Sequence, residues 1–297
     1  MGTLEPMRAP APDASRLPDG PLVLVAGAGR LPELVASSLE RAGRSFRVLA
    51  IRGFAERPMR ARAEASVDLL DIAGILKILK AWAPSAIVPA GGVSRPSPAA
   101  ILNAAAALRN RDALRAIASG GDDRLLRGAL ALLEENGHRV VGVHSVAPDL
   151  LSPEGQLGRY APDAASQVSI ATGRALLAAL SPFDVGQATV VAAQRAITVE
   201  GPEGTDRMLA RARALSRRPL GFGTAQPGTV LVKLAKDGQD LRVDLPAVGP
   251  RTVVKAAAAG CAGLAIQAGL TLVIDRPATI AAADRLGLFV VGLKVGP

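Results

Sequence analysis

Cations and carboxylates gather most densely between positions 233 and 250, where Lys233, Lys236, Gln239, Arg242 and Asp244 share a segment full of turn residues. Such cations can neutralise charge on transferring phosphoryl oxygens, and an aspartate among them can hold a hard cation or orient a water. A solvated charged loop would use the same residue types. Glu203-Gly204-Thr205-Asp206 sets two carboxylates and a hydroxyl around a glycine turn. That set suits a metal ion or a sugar hydroxyl, and equally a plain Thr205 helix cap. The capping box is absent, because Met208 stands where Glu or Gln would be needed. Asp122 and Asp123 follow Gly120-Gly121 and precede Arg124 and Arg127. Either can cap a helix. As a pair they also suit magnesium, which prefers carboxylate and water oxygen.

Two glycine loops offer a different chemistry. Gly27-Ala28-Gly29-Arg30 lies between an apolar run and a helical pattern opening at Leu31. Small residues at that position let backbone N–H groups approach a phosphate at the positive end of a helix. The spacing is only part of a dinucleotide fingerprint, since Pro32 stands where a third glycine or alanine belongs. Gly91-Gly92-Val93-Ser94-Arg95-Pro96 follows a later apolar run. Ligand crevices in open α/β sheets lie at such strand ends. Turns that need glycine only for backbone freedom would read the same way.

The elements that must carry these loops follow from periodicity. Strands are expected over residues 22–26, 46–51, 86–89 and 139–146, with helices over 31–42, 71–83 and 122–136 and further helix after the turn at Ser94. Alternation of this kind predicts a parallel sheet with helices on both faces. Residues 147–162 become rich in Pro, Gly and Ser, and a domain boundary is placed near Pro148. A second α/β half is expected to open with a helix over 165–180. Strands at 189–200, 229–233, 271–274 and 288–293 follow, with helical patterns at 205–215, 251–268 and 278–286. The two halves show no repeat.

Composition narrows the classes further. With 297 residues, two domains fit better than one. Only seven residues are aromatic, so the cores must be built from Ala, Val, Leu and Ile. Cys261 is the lone cysteine; an internal disulfide is excluded, and a small buried thiol is expected. Residues 1–20, with four prolines, read as a disordered extension without a secretory core. No apolar stretch reaches the roughly 18 residues of a membrane span. Net charge is +9, and 29 of the 35 basic residues are arginine. This balance favours anionic partners. Nucleic acid is not expected, because the basic residues are dispersed and few aromatics exist to stack on bases.

Taken in order, these segments resemble the LpxI family, the UDP-2,3-diacylglucosamine diphosphatases (pyrophosphatases) of bacterial lipid A synthesis. The resemblance runs from Pro21 to Gly292. Its most specific stretches are residues 26–32, 90–96, Gly121-Asp122-Asp123 with Leu125-Leu126-Arg127, Asp184-Val185-Gly186-Gln187, Glu203 to Asp206, 242–249, and 281–284 with 287–290. It implies an amino-terminal Rossmann-like parallel-sheet domain over 21–148, a second, catalytic α/β domain over 149–297, and a ligand site between them. It further implies a divalent metal, Mg2+ before Mn2+ or Co2+, with water attacking the α-phosphorus so that UMP leaves.

Carried over residue by residue, the resemblance makes Asp244 the first catalytic residue, either binding metal or activating water; from the chemistry of the same segment, Lys233, Lys236 or Arg242 is expected to stabilise oxygen charge, with Lys233 and Arg242 taken as catalytic candidates. Asp206, Asp122 and Asp123 match other acidic motif positions and are metal candidates beside Asp244. Substrate contacts are implied at Gly27, Ala28, Gly29, Arg30 and Leu31, at Gly92, Val93 and Ser94, and at Gln187, Gly204, Thr205 and Gln239. The chain departs from the family pattern at Ala28 and Arg30, which interrupt consecutive glycines, at Lys236-Asp237-Gly238, and at Gly92. The expected partners are an acylated nucleotide sugar, a second copy of the chain in a homodimer, and the inner-membrane surface of the cytoplasm. Two rival readings remain: a ligand-binding regulator without turnover, and a nucleotide-dependent oxidoreductase.

Overall fold

The computed structural model describes residues 18–93, 122–183, 185–216, 227–236 and 238–294, with side chains of the helix at 122–135 described from Gly128 onward. The helix expected after Ser94 and the extension up to residue 17 lie outside them. The chain divides into two compact units, one formed by Met1–Pro148 with Asp240–Asp244, the other by Asp149–Gln239 with Leu245–Pro297.

In the first unit, strand β1 (Leu22–Ala26) is apolar at every position and buried on both faces, the pattern of a strand inside a parallel sheet. Helix α1 (Leu31–Arg41) follows, then β2 (Phe46–Ile51), α2 (Arg57–Arg62), β3 (Ala65–Val67), α3 (Ile72–Trp82) and β4 (Ala86–Ala90). The four strands form one parallel sheet in the order β3-β2-β1-β4. Asp71 caps α3 by accepting a hydrogen bond from the Gly74 N–H at 2.9 Å, which supplies one of the four donors a helix start leaves unpaired. The helix ends at Ala83 in the left-handed conformation, φ 44°. The Arg47 guanidinium on β2 lies 5.5 Å from the Trp82 ring centre. Helix α4 (Asp122–Glu135) closes this core through Leu130 and Leu133.

Residues 139–146 do not form the expected strand. Val140 makes a single parallel bridge to Ile87, and the chain then turns into the four-residue helix α5 (Val143–Val146). Gly142, extended at its start, explains the break: a Cβ there would sit 3.0 Å from the Arg242 Cα and closer still to the His144 ring.

The second unit is also α/β. Its elements are β5 (Gly155–Gln156), α6 (Ala164–Leu180), β6 (Ala188–Ala192), β7 (Arg195–Val199), α7 (Thr205–Ser216) and β8 (Val230–Lys233). They continue with β9 (Ala247–Val248), α8 (Pro250–Ala258), β10 (Gly263–Gln267), β11 (Leu272–Val273), α9 (Arg276–Arg285) and β12 (Phe289–Leu293). Six strands form a mixed sheet in the order β5-β12-β10-β8-β6-β7, in which β12, β10 and β8 are parallel and β6 runs against β8. The expected strand over 189–200 is a hairpin, turned at Ala193 with φ 52°. The expected helix over 251–268 ends at Ala258, and its last residues are β10.

Helix α6 seats on this sheet through Gly173, whose missing side chain lets the backbone approach Val232; a Cβ would lie 2.6 Å from a Val232 methyl. Asp163 caps the helix by accepting from the Ser166 N–H at 2.8 Å. Buried Ser169 donates to the Gly228 carbonyl at 2.6 Å and accepts from the Ala193 N–H at 2.8 Å. One hydroxyl therefore fixes both the hairpin turn and the approach to β8. Burial pushes the Cys261 thiol up to about 12, which makes it an inert packing group in the core of this unit.

Candidate functional site

In the first unit the glycine loops are placed by strand register. Ala26 and Ala90 are partners at the ends of β1 and β4, so the chains that follow them emerge side by side. They are then tied backbone to backbone. Gly27 N–H donates to the Ala90 carbonyl at 2.8 Å, and Ala28 and Gly92 exchange two hydrogen bonds at 2.7 and 3.0 Å. Gly27 and Gly91 are required by this contact. A Cβ on Gly27 would meet the Gly92 carbonyl at 2.7 Å, and one on Gly91, where φ is +92°, would meet the Ala28 carbonyl at 2.6 Å. Gly29 also has positive φ, +84°, but faces open space. Arg30 holds the N-cap of α1 without a side-chain cap, Leu31 opens the helix, and Pro32 follows. The loops therefore converge on a helix start whose N–H groups have no side-chain cap, the arrangement that suits an anionic group. Val93 is the last described residue here; Ser94 lies outside the described residues.

The segment Asp240–Asp244 belongs to this same unit. Val243 packs against the core of the parallel sheet. Arg242 grips Asp240 with two nitrogens, Nε to Oδ1 at 2.9 Å and Nη2 to Oδ2 at 2.7 Å, and its Nη1 pairs with Glu134. The hydrogen bonds that it donates to Asp240 hold the guanidinium well above its usual range, and burial works against them. Arg242 thus pins the segment that carries Asp244, whose own N–H donates to the Asp240 carbonyl at 3.1 Å. His144 lies against this segment. Burial lowers its basicity, opposed by a hydrogen bond with the Leu241 backbone and by the charge of Asp240, and its Nδ1 finds no partner among the described residues.

The second unit gathers another set at the ends of neighbouring strands of its sheet. Lys233 ends β8 and pairs in register with Ala188, the first residue of β6. Gln187 just before it accepts from the Leu234 N–H at 2.9 Å, and Glu200, just after β7, donates its N–H to the Ala188 carbonyl at 2.8 Å. These three residues are thus neighbours by strand pairing. Thr205 opens α7 and joins them: its hydroxyl donates to Glu200 Oε1 at 2.7 Å and accepts from Lys233 Nζ at 2.7 Å. Glu200 Oε2 takes the Gln187 N–H at 3.0 Å. Gly186 permits the approach, since a Cβ there would lie 2.4 Å from the Glu200 Cβ. Gly204, φ +81°, makes the turn into α7. Gln239 lies in a local turn, where it accepts from the Lys236 N–H at 3.0 Å.

Of the expected carboxylates, Asp206 pairs with Arg251 at 3.3 Å and with Lys255 on α8. Asp122 and Asp123 begin α4, and their side chains are not described. Among the described residues no three His, Cys, Asp or Glu side chains gather closely enough to hold a metal ion. Glu200 was missed by sequence reasoning, which ended a strand on it. The usable signal was an acid closing a Val-rich run, a place where burial demands partners.

The chain is thus a two-unit α/β protein, with glycine loops at the strand ends of a parallel sheet in one unit and a buried lysine–threonine–glutamate cluster at the strand ends of a mixed sheet in the other. The LpxI N-terminal domain matches residues 21–150 and the LpxI C-terminal domain matches residues 153–291. A relative from Caulobacter vibrioides, UDP-2,3-diacylglucosamine pyrophosphatase LpxI, is 39% identical over 272 residues, which covers 92% of this chain and 97% of that protein. The chain belongs to the LpxI family.

Proposed function

We propose that this chain is a hydrolase that cleaves the pyrophosphate of UDP-2,3-diacylglucosamine to UMP and 2,3-diacylglucosamine 1-phosphate in lipid A biosynthesis. The observation that carries the reading is the 39% identity to the Caulobacter pyrophosphatase along nearly the full length of both chains. Geometry supports it at two points. The loops after β1 and β4 present an uncapped helix start suited to a phosphate, and Lys233 is held at a fixed position by Thr205. A preoriented ammonium stabilises charge that develops on a phosphoryl oxygen without reorganising during the reaction.

In the proposed reaction, water attacks the α-phosphorus. A new bond forms from the water oxygen to phosphorus as the water releases its proton to solvent, and the bond from that phosphorus to the bridging oxygen breaks. The bridging oxygen and its electron pair leave with the sugar phosphate. Asp244 orients the attacking water in this proposal, and Lys233 offsets charge on the phosphoryl oxygens. Arg242 supports the reaction by fixing the segment that carries Asp244, the part suggested by its bonds to Asp240 and Glu134.

Dependence on a divalent cation, Mg2+ before Mn2+ or Co2+, belongs to the same proposal. In this reading the cation neutralises charge on the pyrophosphate of the substrate. No helix among the described residues is long and apolar enough to cross a membrane; the arginine excess suits contact with an anionic membrane surface, and a homodimer belongs to the same proposal through the family resemblance alone.

The test of the bond cleaved is hydrolysis in 18O-enriched water. Heavy oxygen in UMP supports attack at the α-phosphorus. Heavy oxygen in the sugar phosphate would place the attack at the β-phosphorus and overturn this assignment.

A further inference from the structure

Lys233 and Glu200 are each 7% exposed, and burial of both charges needs a physical reason. A buried ion is costly unless hydrogen bonds replace its water. Here the replacement includes a relay through one hydroxyl. The Thr205 hydroxyl owns a single proton and gives it to Glu200 Oε1, so only its lone pairs can face Lys233, which donates to them. The other carboxylate oxygen is engaged by the Gln187 N–H. Glu200 therefore cannot turn away from Thr205 without abandoning a backbone donor. Gly186 keeps the backbone in contact behind it.

We propose that Glu200 is a positioning residue for the hydrolysis: through Thr205 it sets the direction in which the Lys233 ammonium points. With one N–H committed to Thr205, rotation about the Cε–Nζ bond is fixed, and so are the directions of the other two N–H bonds. The inference rests on the reading of Lys233 as the group that faces a phosphoryl oxygen. A merely structural role would need only that Glu200 be buried and paired. The relay additionally requires two acceptor atoms on one side chain. A carboxamide offers one acceptor and one donor, so Glu200→Gln must leave either the Thr205 hydroxyl or the Gln187 N–H unpaired. Glu200→Asp keeps both acceptors but shortens the reach by one methylene.

Two measurements test this. The chain has six lysines, so protein labelled with 13C-lysine gives a small set of 13Cε signals, with that of Lys233 assigned by its loss in Lys233→Arg. In the wild type the Lys233 terminal methylene should be ordered, and in Glu200→Gln and Thr205→Val its order parameter should fall towards the range of flexible groups, below about 0.6. In UMP-release kinetics, Glu200→Gln should lose at least about tenfold in kcat while KM moves by less than about threefold, and Glu200→Asp should recover part of the loss. Unchanged lysine order in both variants overturns the proposal. So does a kcat loss that only matches the loss of folded protein. Thr205→Val, which keeps the side-chain shape, tests the relay should Glu200→Gln fail to fold. If the wild type releases no UMP, the reaction assigned above fails, and the relay stands or falls on lysine order alone.

Discussion

Gly91 and Gly29 stand in neighbouring loops with nearly equal backbone angles, φ +92° and +84°, yet their surroundings differ. A Cβ on Gly29 meets nothing within 4 Å, whereas one on Gly91 would lie 2.6 Å from the Ala28 carbonyl and 2.9 Å from the Gly27 carbonyl carbon. Gly29→Ala should therefore cost only the left-handed backbone penalty, about 1–2 kcal/mol. Gly91→Ala should cost the same penalty plus about 1–3 kcal/mol for overpacking, because backbone rather than a flexible side chain must give way. The total, about 2–5 kcal/mol, is a large share of the stability of one domain. Trp82 is the chain's only tryptophan and packs on the core of the first unit. Its fluorescence in a urea titration reports that unit alone and avoids treating a two-unit chain as one transition. Equal midpoints for Gly91→Ala and Gly29→Ala would refute the argument that the two loops are sterically locked.

Four further outcomes follow from the same geometry. Arg242→Met removes charge-assisted bonds from Asp240 and leaves Glu134 unpaired by it; for partly exposed groups this should cost about 1–2 kcal/mol in the Trp82 transition, and proteolysis within 240–244 should quicken. His144 should make the first unit less stable in acid. The imidazole of the unfolded chain takes up a proton near 6.5 while burial holds the folded one lower. Between those values the unfolded chain binds more protons, so stability present above pH 6.5 declines as pH falls below it; His144→Phe should flatten that slope in urea titrations at pH 5 to 7. The Cys261 thiol, pushed up to about 12, should resist a disulfide reagent at pH 8 in folded protein and react fully in denaturant. Gly186→Ala would drive a Cβ into Glu200 and should lower UMP release along with the stability of the second unit, read by far-UV circular dichroism.

Much of the α/β framework could be read from residues 22–90, where apolar runs of five or six residues alternate with helical periodicity and glycine turns. Each reading that failed has its own physical cause. β10, Gly-Leu-Ala-Ile-Gln, follows α8 through an Ala- and Gly-rich stretch, and a short buried strand has no period to distinguish it from helix. The hairpin of β6 and β7 read as one strand because its turn uses Ala193 at φ 52°, without the glycine or asparagine that usually marks such a turn. Residues 139–146 carry a strand's composition, but the close approach to Arg242 at Gly142 turns the chain aside, and no local signal announces a partner a hundred residues away.

The candidate site was legible as a set of motifs and illegible as an arrangement. The cluster at 233–244 looked like one charged segment. In the fold its two ends belong to different units: Lys233 is buried at a strand end with Thr205, while Arg242 clasps Asp240 and Glu134 beside the first unit's core. Asp206, placed among metal candidates by its motif, is held by Arg251 and Lys255. Glu200 carried no motif signal of its own, because what singles it out is the convergence of a hydroxyl and a backbone N–H that sequence spacing cannot reveal.

The most direct test of the central claim is release of UMP from UDP-2,3-diacylglucosamine by the purified chain, with magnesium and with excess chelator, beside its Asp244→Ala variant. The wild type with magnesium should give UMP and acylated sugar phosphate in equal amounts, and both products should be lost on chelation or substitution in a protein that remains folded. Intact substrate under every metal tried, or full activity in Asp244→Ala, would contradict it.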